Sequence, residues 1–138
     1  MNLPMSAPNS LQHVTPATLA PPGGHYSHAV VAAGLVFVSG QLPITADGSK
    51  LNAASFDDQA RQVLANVEAA LTASGSSVGQ LVQVRVYVTD IANWPAFNTI
   101  YAQWAGASRP ARAVVPVPAL HHDFLIEVEA VGLLKAGL

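Results

Sequence analysis

The chain has 138 residues, of which 51% are hydrophobic and 10% are charged, with a formal net charge of −2 and no cysteine. This length suits one domain with one core. The lack of cysteine excludes disulfides, thiolate metal sites and cysteine nucleophiles. The six Lys and Arg residues are spread along the chain, which argues against a nucleic-acid surface. Charged residues are scarce against the usual share of about a quarter, so part of the apolar surface is expected to contact a partner subunit.

The first part of the chain predicts an arm followed by a single domain. Residues 1–10 are rich in proline and small polar residues and predict a flexible arm, whereas residues 11–138 predict one domain, with residues 11–14 a candidate for a short edge strand. The start of the chain lacks the basic and apolar regions of a signal peptide, and no apolar run reaches the roughly 18 residues of a membrane helix. We therefore expect a soluble, cytoplasmic protein with no membrane partner.

A hairpin, a helix and a strand follow the arm. Two apolar runs separated by Ala-Ala-Gly predict a β-hairpin within residues 26–44. Ser55 and Asp58 form a capping-box-like start of a first helix, which Gly75 ends. The next strand, LVQVRVYVTD, is predicted to direct one set of side chains to one face and a second set to the other: Val82, Val84, Val86 and Val88 against Gln83, Arg85, Tyr87 and Thr89.

A second helix and two strands complete the predicted fold. The helix begins near Asn93, has Pro95 in its first turn and ends at Gly106; strands follow at residues 111–117 and 124–134. The order β-β-α-β-α-β-β predicts an α+β fold, a single two-layer domain in which right-handed crossovers place both helices on one face of a mixed sheet. The other face has no helix to cover it, so we expect other subunits to cover it, with cleft sites between them.

Three charged residues lie within the two final strands. Strand alternation directs Glu127 and Glu129 to the open face of the sheet, where they either solvate that face or serve a site. Arg112 carries a planar, permanently charged fork that fits a carboxylate through two parallel hydrogen bonds. It therefore either forms a salt bridge with one of the two glutamates or holds a substrate carboxylate, and spacing alone leaves both alternatives open.

The remaining polar motifs indicate less. His25 and His28 lie three residues apart in a turn and a strand, a spacing that does not favour a shared metal. Ser39 lacks the G-x-S-x-G elbow of a serine hydrolase, and neither nucleotide-binding fingerprint is present. His121 and His122 indicate a loop between strands, with diverging side chains. Tyr26 is either a core aromatic or a cleft hydroxyl.

Taken together, six motifs in one order resemble those of the RidA (YjgF) family of small trimeric enamine/imine deaminases: GHYSHAV, LVFVSGQLPI, FDDQARQVLANVEAAL, FNTIY, RPARAVV and IEVEAVG. The resemblance covers residues 14–134. It implies a fold similar to that of chorismate mutase, a homotrimer, and three clefts at the subunit boundaries.

The resemblance also implies roles for the matching residues. Arg112 would hold the substrate carboxylate, helped by backbone groups near Val114, and Glu127 would position or activate a water, while Glu129 has a weaker claim. Three residues would line the cleft: Tyr26, Ser39 and Asn98. The implied reaction hydrolyses a 2-imino acid, formed from a 2-enamino acid such as 2-aminoacrylate, to a 2-oxo acid and ammonia, with no metal or organic cofactor. Arg112 and Glu127 would converge in a pocket that no single copy of the chain completes.

Departures from the family pattern leave the substrate open. His25 and His28 stand where the family usually has proline and glutamine, Val114 stands where many members have cysteine, and the loop with His121 and His122 replaces a commoner turn. One alternative is a relative that acts on a different imine or on an aminomuconate-like acid. The other is a non-enzymatic trimeric module that binds small carboxylates or partner proteins through the same clefts.

Overall fold

The computed structural model describes residues 10–135, so that most of the predicted arm at residues 1–10 lies outside the described residues. This part of the chain forms six strands and two helices: β1 Gln12–Val14, β2 Ala29–Ala32, β3 Leu35–Gln41, α1 Phe56–Ala73, β4 Leu81–Val88, α2 Trp94–Ala105, β5 Ala111–Pro116 and β6 Ile126–Leu133. The strands form one mixed sheet in the order β1-β2-β3-β6-β4-β5, with β4 and β5 parallel and the other described pairs antiparallel.

The predicted α+β architecture is confirmed as one domain with a mixed sheet and two helices. The buried residues of α1 and α2 join one core cluster with Val84, Val86 and Val88 of β4, which places both helices on the same face of the sheet. The segment proposed as an edge strand forms β1, which pairs with β2 at one edge. Neither helix within residues 10–135 has the combination of length and apolar character that crossing a bilayer requires.

Local sequence signals set the boundaries of the main elements. Ala33 and Gly34 both adopt positive φ, 53° and 79°, in the two-residue loop between β2 and β3, as a twisted hairpin requires. The Ser55 side chain accepts a hydrogen bond from the backbone N–H of Asp58 at 3.1 Å, which confirms the predicted start of α1. Gly75, with φ of 88°, follows the end of that helix.

The predicted alternation of buried and exposed side chains holds along β4 except at its first two residues. The three later valines are fully buried, but Val82 is 46% exposed and Leu81 is buried instead. The pairing of β4 with β6 shifts in register between Leu81 and Gln83, which indicates a β-bulge. A bulge adds one residue to one strand and thereby reverses the faces on either side of it, so the prediction that Val82 lies with the other valines is wrong.

The opposite face of the sheet carries a polar cluster among exposed apolar side chains. Arg85 Nη1 lies 3.1 Å from Glu129 Oε1, and the Tyr87 hydroxyl donates to Glu129 Oε2 at 3.1 Å. On the same face, as the strand registers show, Phe37, Val115 and Leu133 keep 36–47% of their surface exposed. A single chain therefore leaves uncovered the half-polar, half-apolar face that the sequence predicts.

Gln59 links the start of α1 to the start of β6. The side chain is fully buried; its amide nitrogen donates to the Ala54 carbonyl at 3.1 Å and its amide oxygen accepts from the Leu125 N–H at 2.9 Å. Because Leu125 directly precedes β6, this one side chain holds the end of the strand that carries Glu127.

Gln59→Leu should lower the free energy of unfolding by about 1–3 kcal/mol, because a leucine of similar shape leaves the Leu125 N–H and the Ala54 carbonyl without their partner. Urea denaturation at a fixed protein concentration measures the change. Gln103→Leu, at an exposed position of α2, is the control and should change stability by less than about 0.5 kcal/mol. A Gln59→Leu protein as stable as the wild type would contradict the structural role of this side chain.

Candidate active site

A β-bulge in β3 shapes the candidate site. Between its pairings at Val38 and Gln41, β3 contains one residue more than β6 opposite it. Val38 and Gln41 both face the core, at 4% and 3% exposure, so Ser39 and Gly40 fit between two inward-facing residues. Bulges often occur beside functional sites because they change the direction of side chains; this one brings the backbone of Gly40 next to Glu127.

Gly40 provides the space that the Glu127 carboxyl group occupies. A Cβ atom at position 40 would overlap Glu127 Oε2 and lie 3.1 Å from its carboxyl carbon. Any larger residue would therefore displace this carboxyl group. Sequence reasoning missed this role, although a glycine inside a strand is a known signal of close approach by another group.

Glu127 lies on the wall of an open cleft of about 490 Å³. We call this space the Glu127 cleft; its walls include Tyr26, Ser39, Gly40, Leu42, His121 and Glu127. The structure thus brings together three of the residues singled out from the sequence, one from the loop before β2, one from β3 and one from β6. The exposed ring of Tyr26 is a cleft group and does not belong to the core.

The surroundings of Glu127 make its carboxyl group less acidic. The side chain is half-buried, and burial raises its pKa above the ordinary value of 4.5. The negative charge of Glu129 acts in the same direction, whereas His121 opposes it by stabilising the carboxylate. A carboxyl group whose pKa lies nearer to neutrality is better suited to accept a proton and return it.

Ser39 is held by the loop that carries Tyr26. Its hydroxyl donates to the Ser27 carbonyl at 2.6 Å, and its backbone N–H donates to the His28 carbonyl at 2.9 Å. Because the hydroxyl hydrogen is already engaged, the Ser39 oxygen is left to accept a hydrogen bond from a ligand. The serine is suited to orient a bound group. Within the described residues its hydroxyl donates to a backbone carbonyl and not to a side-chain base that would make it a nucleophile.

His28 is a buried structural residue. Its Nε2 lies 2.7 Å from the Ala20 carbonyl and its Nδ1 lies 3.2 Å from the Gln41 amide nitrogen, so both ring nitrogens are occupied. The Tyr26 ring meets the His28 ring edge-on at 6.2 Å. Among the described residues no group of three His, Asp or Glu side chains is placed to hold a metal ion. His28 instead fixes the loop that carries Tyr26.

Arg112 lies on the other side of the sheet. It is in register with Val84, whose side chain is buried beneath the helices, and its Cζ atom is 4.8 Å from the centre of the Tyr101 ring. Of the two ion pairs among residues 10–135, neither includes Arg112. The alternative of a salt bridge with Glu127 or Glu129 is thus wrong within one chain, because strand alternation directs the arginine and the glutamates to opposite faces.

A second hollow, of about 360 Å³, lies beside Arg112 and is also lined by Asn98 and Tyr101. We call it the Arg112 hollow. Val114, two residues along β5, is half-buried against the core in this edge strand of the sheet. The residues singled out from the sequence therefore form two groups in one chain, Tyr26, Ser39 and Glu127 in the Glu127 cleft and Asn98 and Arg112 in the hollow.

His121 is the further cleft residue to which sequence reasoning assigned no role. It begins a short turn, His121–Asp123, that leads into β6, and it lies in the Glu127 cleft. The signal in the sequence was its position, just before the strand that carries the candidate carboxyl group. A histidine pair in a loop is common enough that position alone did not distinguish it.

Comparison with known sequences finds one family model and several relatives that match most of the chain. A family model described as Endoribonuclease L-PSP matches residues 17–134. A RutC family protein of Pyrococcus horikoshii is 40% identical over 111 residues, which cover 80% of this chain and 88% of that protein. Reactive Intermediate Deaminase A of Arabidopsis thaliana, a chloroplast protein, is 35% identical over 134 residues, which cover 96% of this chain and 72% of that protein.

Comparison with solved structures gives the same result. The crystal structure of yeast Mmf1 is 34% identical, with a TM-score of 0.87 over 91% of this chain and 100% of that one. The crystal structure of Escherichia coli TdcF with bound serine is 31% identical, with a TM-score of 0.84 over 90% of this chain and 99% of that one. Sequence and fold agree over almost the whole described chain, and the protein belongs to the RidA (YjgF, RutC) family that the Endoribonuclease L-PSP model represents.

Proposed function

We propose that this protein hydrolyses 2-imino acids, formed from 2-enamino acids such as 2-aminoacrylate, to 2-oxo acids and ammonia. Relatives named as reactive intermediate deaminases, 35% identical to this chain, support an enzyme of this class. The observation that carries the proposal is Glu127, a half-buried carboxyl group of raised pKa that faces an open cleft. A small substrate is further supported by the serine bound in the TdcF crystal structure, which is an amino acid with a free carboxylate.

Glu127 is proposed to move one proton twice. The imino carbon is electrophilic, and a water molecule attacks it while the Glu127 carboxylate takes a proton from that water. The carboxyl group then returns this proton to the nitrogen. The nitrogen gains a second proton as the new hydroxyl group loses one, the C–N bond breaks, and ammonia leaves as the 2-oxo acid forms. Because the same group accepts and then donates a proton, a pKa raised by burial serves both steps. The reaction as proposed uses no metal or organic cofactor.

Arg112 is proposed to hold the substrate carboxylate through two charge-assisted hydrogen bonds. This cation lies on the ring of Tyr101 and has no ion-pair partner among residues 10–135. The Glu127 cleft and the Arg112 hollow lie on different sides of one sheet, so one copy alone cannot hold a small acid between them. We therefore propose that the β5 edge of one copy packs against the open sheet face of the next.

Three such contacts, each joining the edge of one copy to the face of another, would close into a homotrimer. Support comes from the open face itself, where Phe37, Val115 and Leu133 are exposed in a single chain. Covering large apolar side chains favours association. Each of the three sites would then combine Tyr26, Ser39 and Glu127 of one copy with Asn98, Arg112 and the backbone near Val114 of another. A cytoplasmic location stays a prediction from the sequence.

Two other functions are less well supported by the residues of the chain. A non-enzymatic module would bind small carboxylates or partner proteins in the same clefts, but the negative charge of Glu127 would repel a bound carboxylate and serves chemistry better than binding. RNA cleavage, suggested by the family model's description, would need a basic surface for phosphates. The six Lys and Arg residues of the chain and the acidic pair Glu127 and Glu129 do not favour that function.

Arg112→Ala should lower kcat/KM about 100-fold or more, because two hydrogen bonds to a charged carboxylate are lost. The assay generates 2-iminobutanoate in situ and follows its disappearance with and without protein. Arg61→Ala, which removes an exposed arginine paired with Asp58 on α1, is the matched control and should leave the rate unchanged. An unchanged rate in Arg112→Ala would remove this residue from the mechanism; a wild-type protein that accelerates none of several imino acids would favour the binding module.

The rate should fall at acid pH with an apparent pKa above 4.5, since burial keeps the proton on Glu127 to a higher pH and only the carboxylate can accept one. Glu127→Gln should abolish this acid limb and lower kcat/KM about 10²–10⁴-fold. Glu129→Gln should instead move the limb to lower pH, because it removes a negative charge that raises the pKa of Glu127. Persistence of the wild-type limb in Glu127→Gln would assign it to another group.

Sedimentation should give a mass of three chains, and mixed trimers should test the shared site. Arg112→Ala and Glu127→Gln are each expected to be inactive, but unfolding and refolding them together in equal amounts should restore up to about a quarter of the wild-type rate, since one site in four receives both intact residues. A refolded mixture of wild type and a double variant, Arg112→Ala with Glu127→Gln, is the control for refolding yield. A single-chain mass, or no recovery in the mixture, would contradict the shared site.

A further inference from the structure

The Glu127 cleft contains a second group that can transfer a proton at moderate pH. Among the lining residues in the described part of the chain, three can titrate: Glu127, His121 and Tyr26. The side chain of His121 is exposed to the cleft. An imidazole beside a carboxyl group is the pairing that proton-transfer chemistry uses most often, and the reaction proposed above needs a proton at the substrate nitrogen as well as one taken from water.

The turn that carries His121 has an unusual backbone. His122 and Asp123 follow one another with φ of 57° and 59°, a left-handed conformation that residues with a Cβ atom adopt rarely and seldom in succession. The turn is closed by a hydrogen bond from the Phe124 N–H to the His121 carbonyl at 3.1 Å. Backbone strain of this kind persists where surrounding packing holds it, and it is found most often at functional sites.

The two histidines of the turn do not diverge as predicted, since their ring centres are 6.5 Å apart, but they have different further neighbours. Phe124 is fully buried, and the ring of His122 contacts it edge-on, with 5.7 Å between centres and a 75° angle between planes. His122 is exposed and rests against the buried phenylalanine, whereas His121 lines the cleft. The two adjacent residues, alike in chemistry, have different surroundings and form a natural pair of test and control positions.

We propose that His121 is a second catalytic residue, which exchanges protons with the substrate nitrogen and the new hydroxyl group while Glu127 acts on the water. This inference rests on the proposed function. As water adds to the imino carbon, the C=N electron pair moves to nitrogen, Glu127 takes a proton from the water and the imidazolium of His121 gives one to the nitrogen. In the second step Glu127 returns its proton to the nitrogen, the C–N bond breaks to release ammonia, and His121 takes the hydroxyl proton as the carbonyl forms. Both residues thereby regain their starting states.

The charges around Glu127 agree with this pairing. On the open face, Glu129 adds negative charge but is itself engaged by Arg85 and Tyr87. Among the residues that line the cleft, His121 is the one that can carry a positive charge opposite the carboxylate. Its interaction lowers the pKa of Glu127, against the effect of burial. The first step requires a carboxylate at Glu127 and an imidazolium at His121, and these opposite charges attract each other.

His121→Asn should lower kcat/KM by about 100-fold, within the range expected for loss of a general acid. Its acid limb should move to higher pH, because the cation that stabilises the Glu127 carboxylate is gone. His122→Asn is the matched control: it lies in the same turn, asparagine tolerates positive φ, and both the rate and the acid limb should stay as they are in the wild type.

A second variant separates chemistry from structure. His121→Ala should recover part of its rate when free imidazole is added, whereas His122→Ala should not respond, and the trimer mass and the affinity for the product 2-oxobutanoate should be unchanged in both. If the wild type is active and His121→Asn has the same rate and pH profile, the role of His121 is overturned and the proposed function is not. A wild type that hydrolyses no imino acid would overturn the proposed function and this role together.

Discussion

The candidate site depends on the half-buried carboxyl group of Glu127, which lies beside the β-bulge in β3. A carboxylate in a sheet must be paired, hydrated or protonated, because an isolated buried charge is costly. Glu129 meets this requirement through Arg85 and Tyr87. Glu127, two residues earlier on the same face, faces an open cleft instead, and the bulge at Ser39 and Gly40 provides the space for it.

The same strand geometry that exposes Glu127 also separates it from the arginine. β5 and β6 are both neighbours of β4, and the register of each with β4 decides which face a side chain takes. Arg112 is in register with Val84, a core residue, and Glu127 with Tyr87, on the open face. Strand alternation therefore directs these two groups to opposite faces of the sheet within one chain. This separation is the reason for proposing a site that is shared between copies of the chain.

The loops around the cleft are held by buried polar contacts rather than by apolar packing alone. His28 bonds to Ala20 on one side and Gln41 on the other, and the amide of Asn66 donates to the Leu42 and Ile44 carbonyls at 3.0 and 2.9 Å. Buried hydrogen bonds of this kind fix a loop in one position, because a displaced loop would leave the groups unpaired. The walls of the cleft are thus determined by residues that do not themselves line its reactive side.

The sequence by itself determined the helices, the strands, the open sheet face and the family, because hydrophobic periodicity, a Ser55 cap and a set of ordered motifs are local signals. It also determined that Glu127 and Glu129 share a face, since alternation along one strand needs no other information. It could not distinguish their roles, because the residues that bond to the Glu129 carboxylate lie 42 and 44 positions away in the chain. Only the tertiary structure decided that Val82 turns outward at a bulge, that Gly40 makes room for Glu127, that Arg112 lies on the opposite face, and that His121 enters the cleft. Each of these depends on strand register or on a strained turn, and both are set by contacts between segments that are distant in sequence.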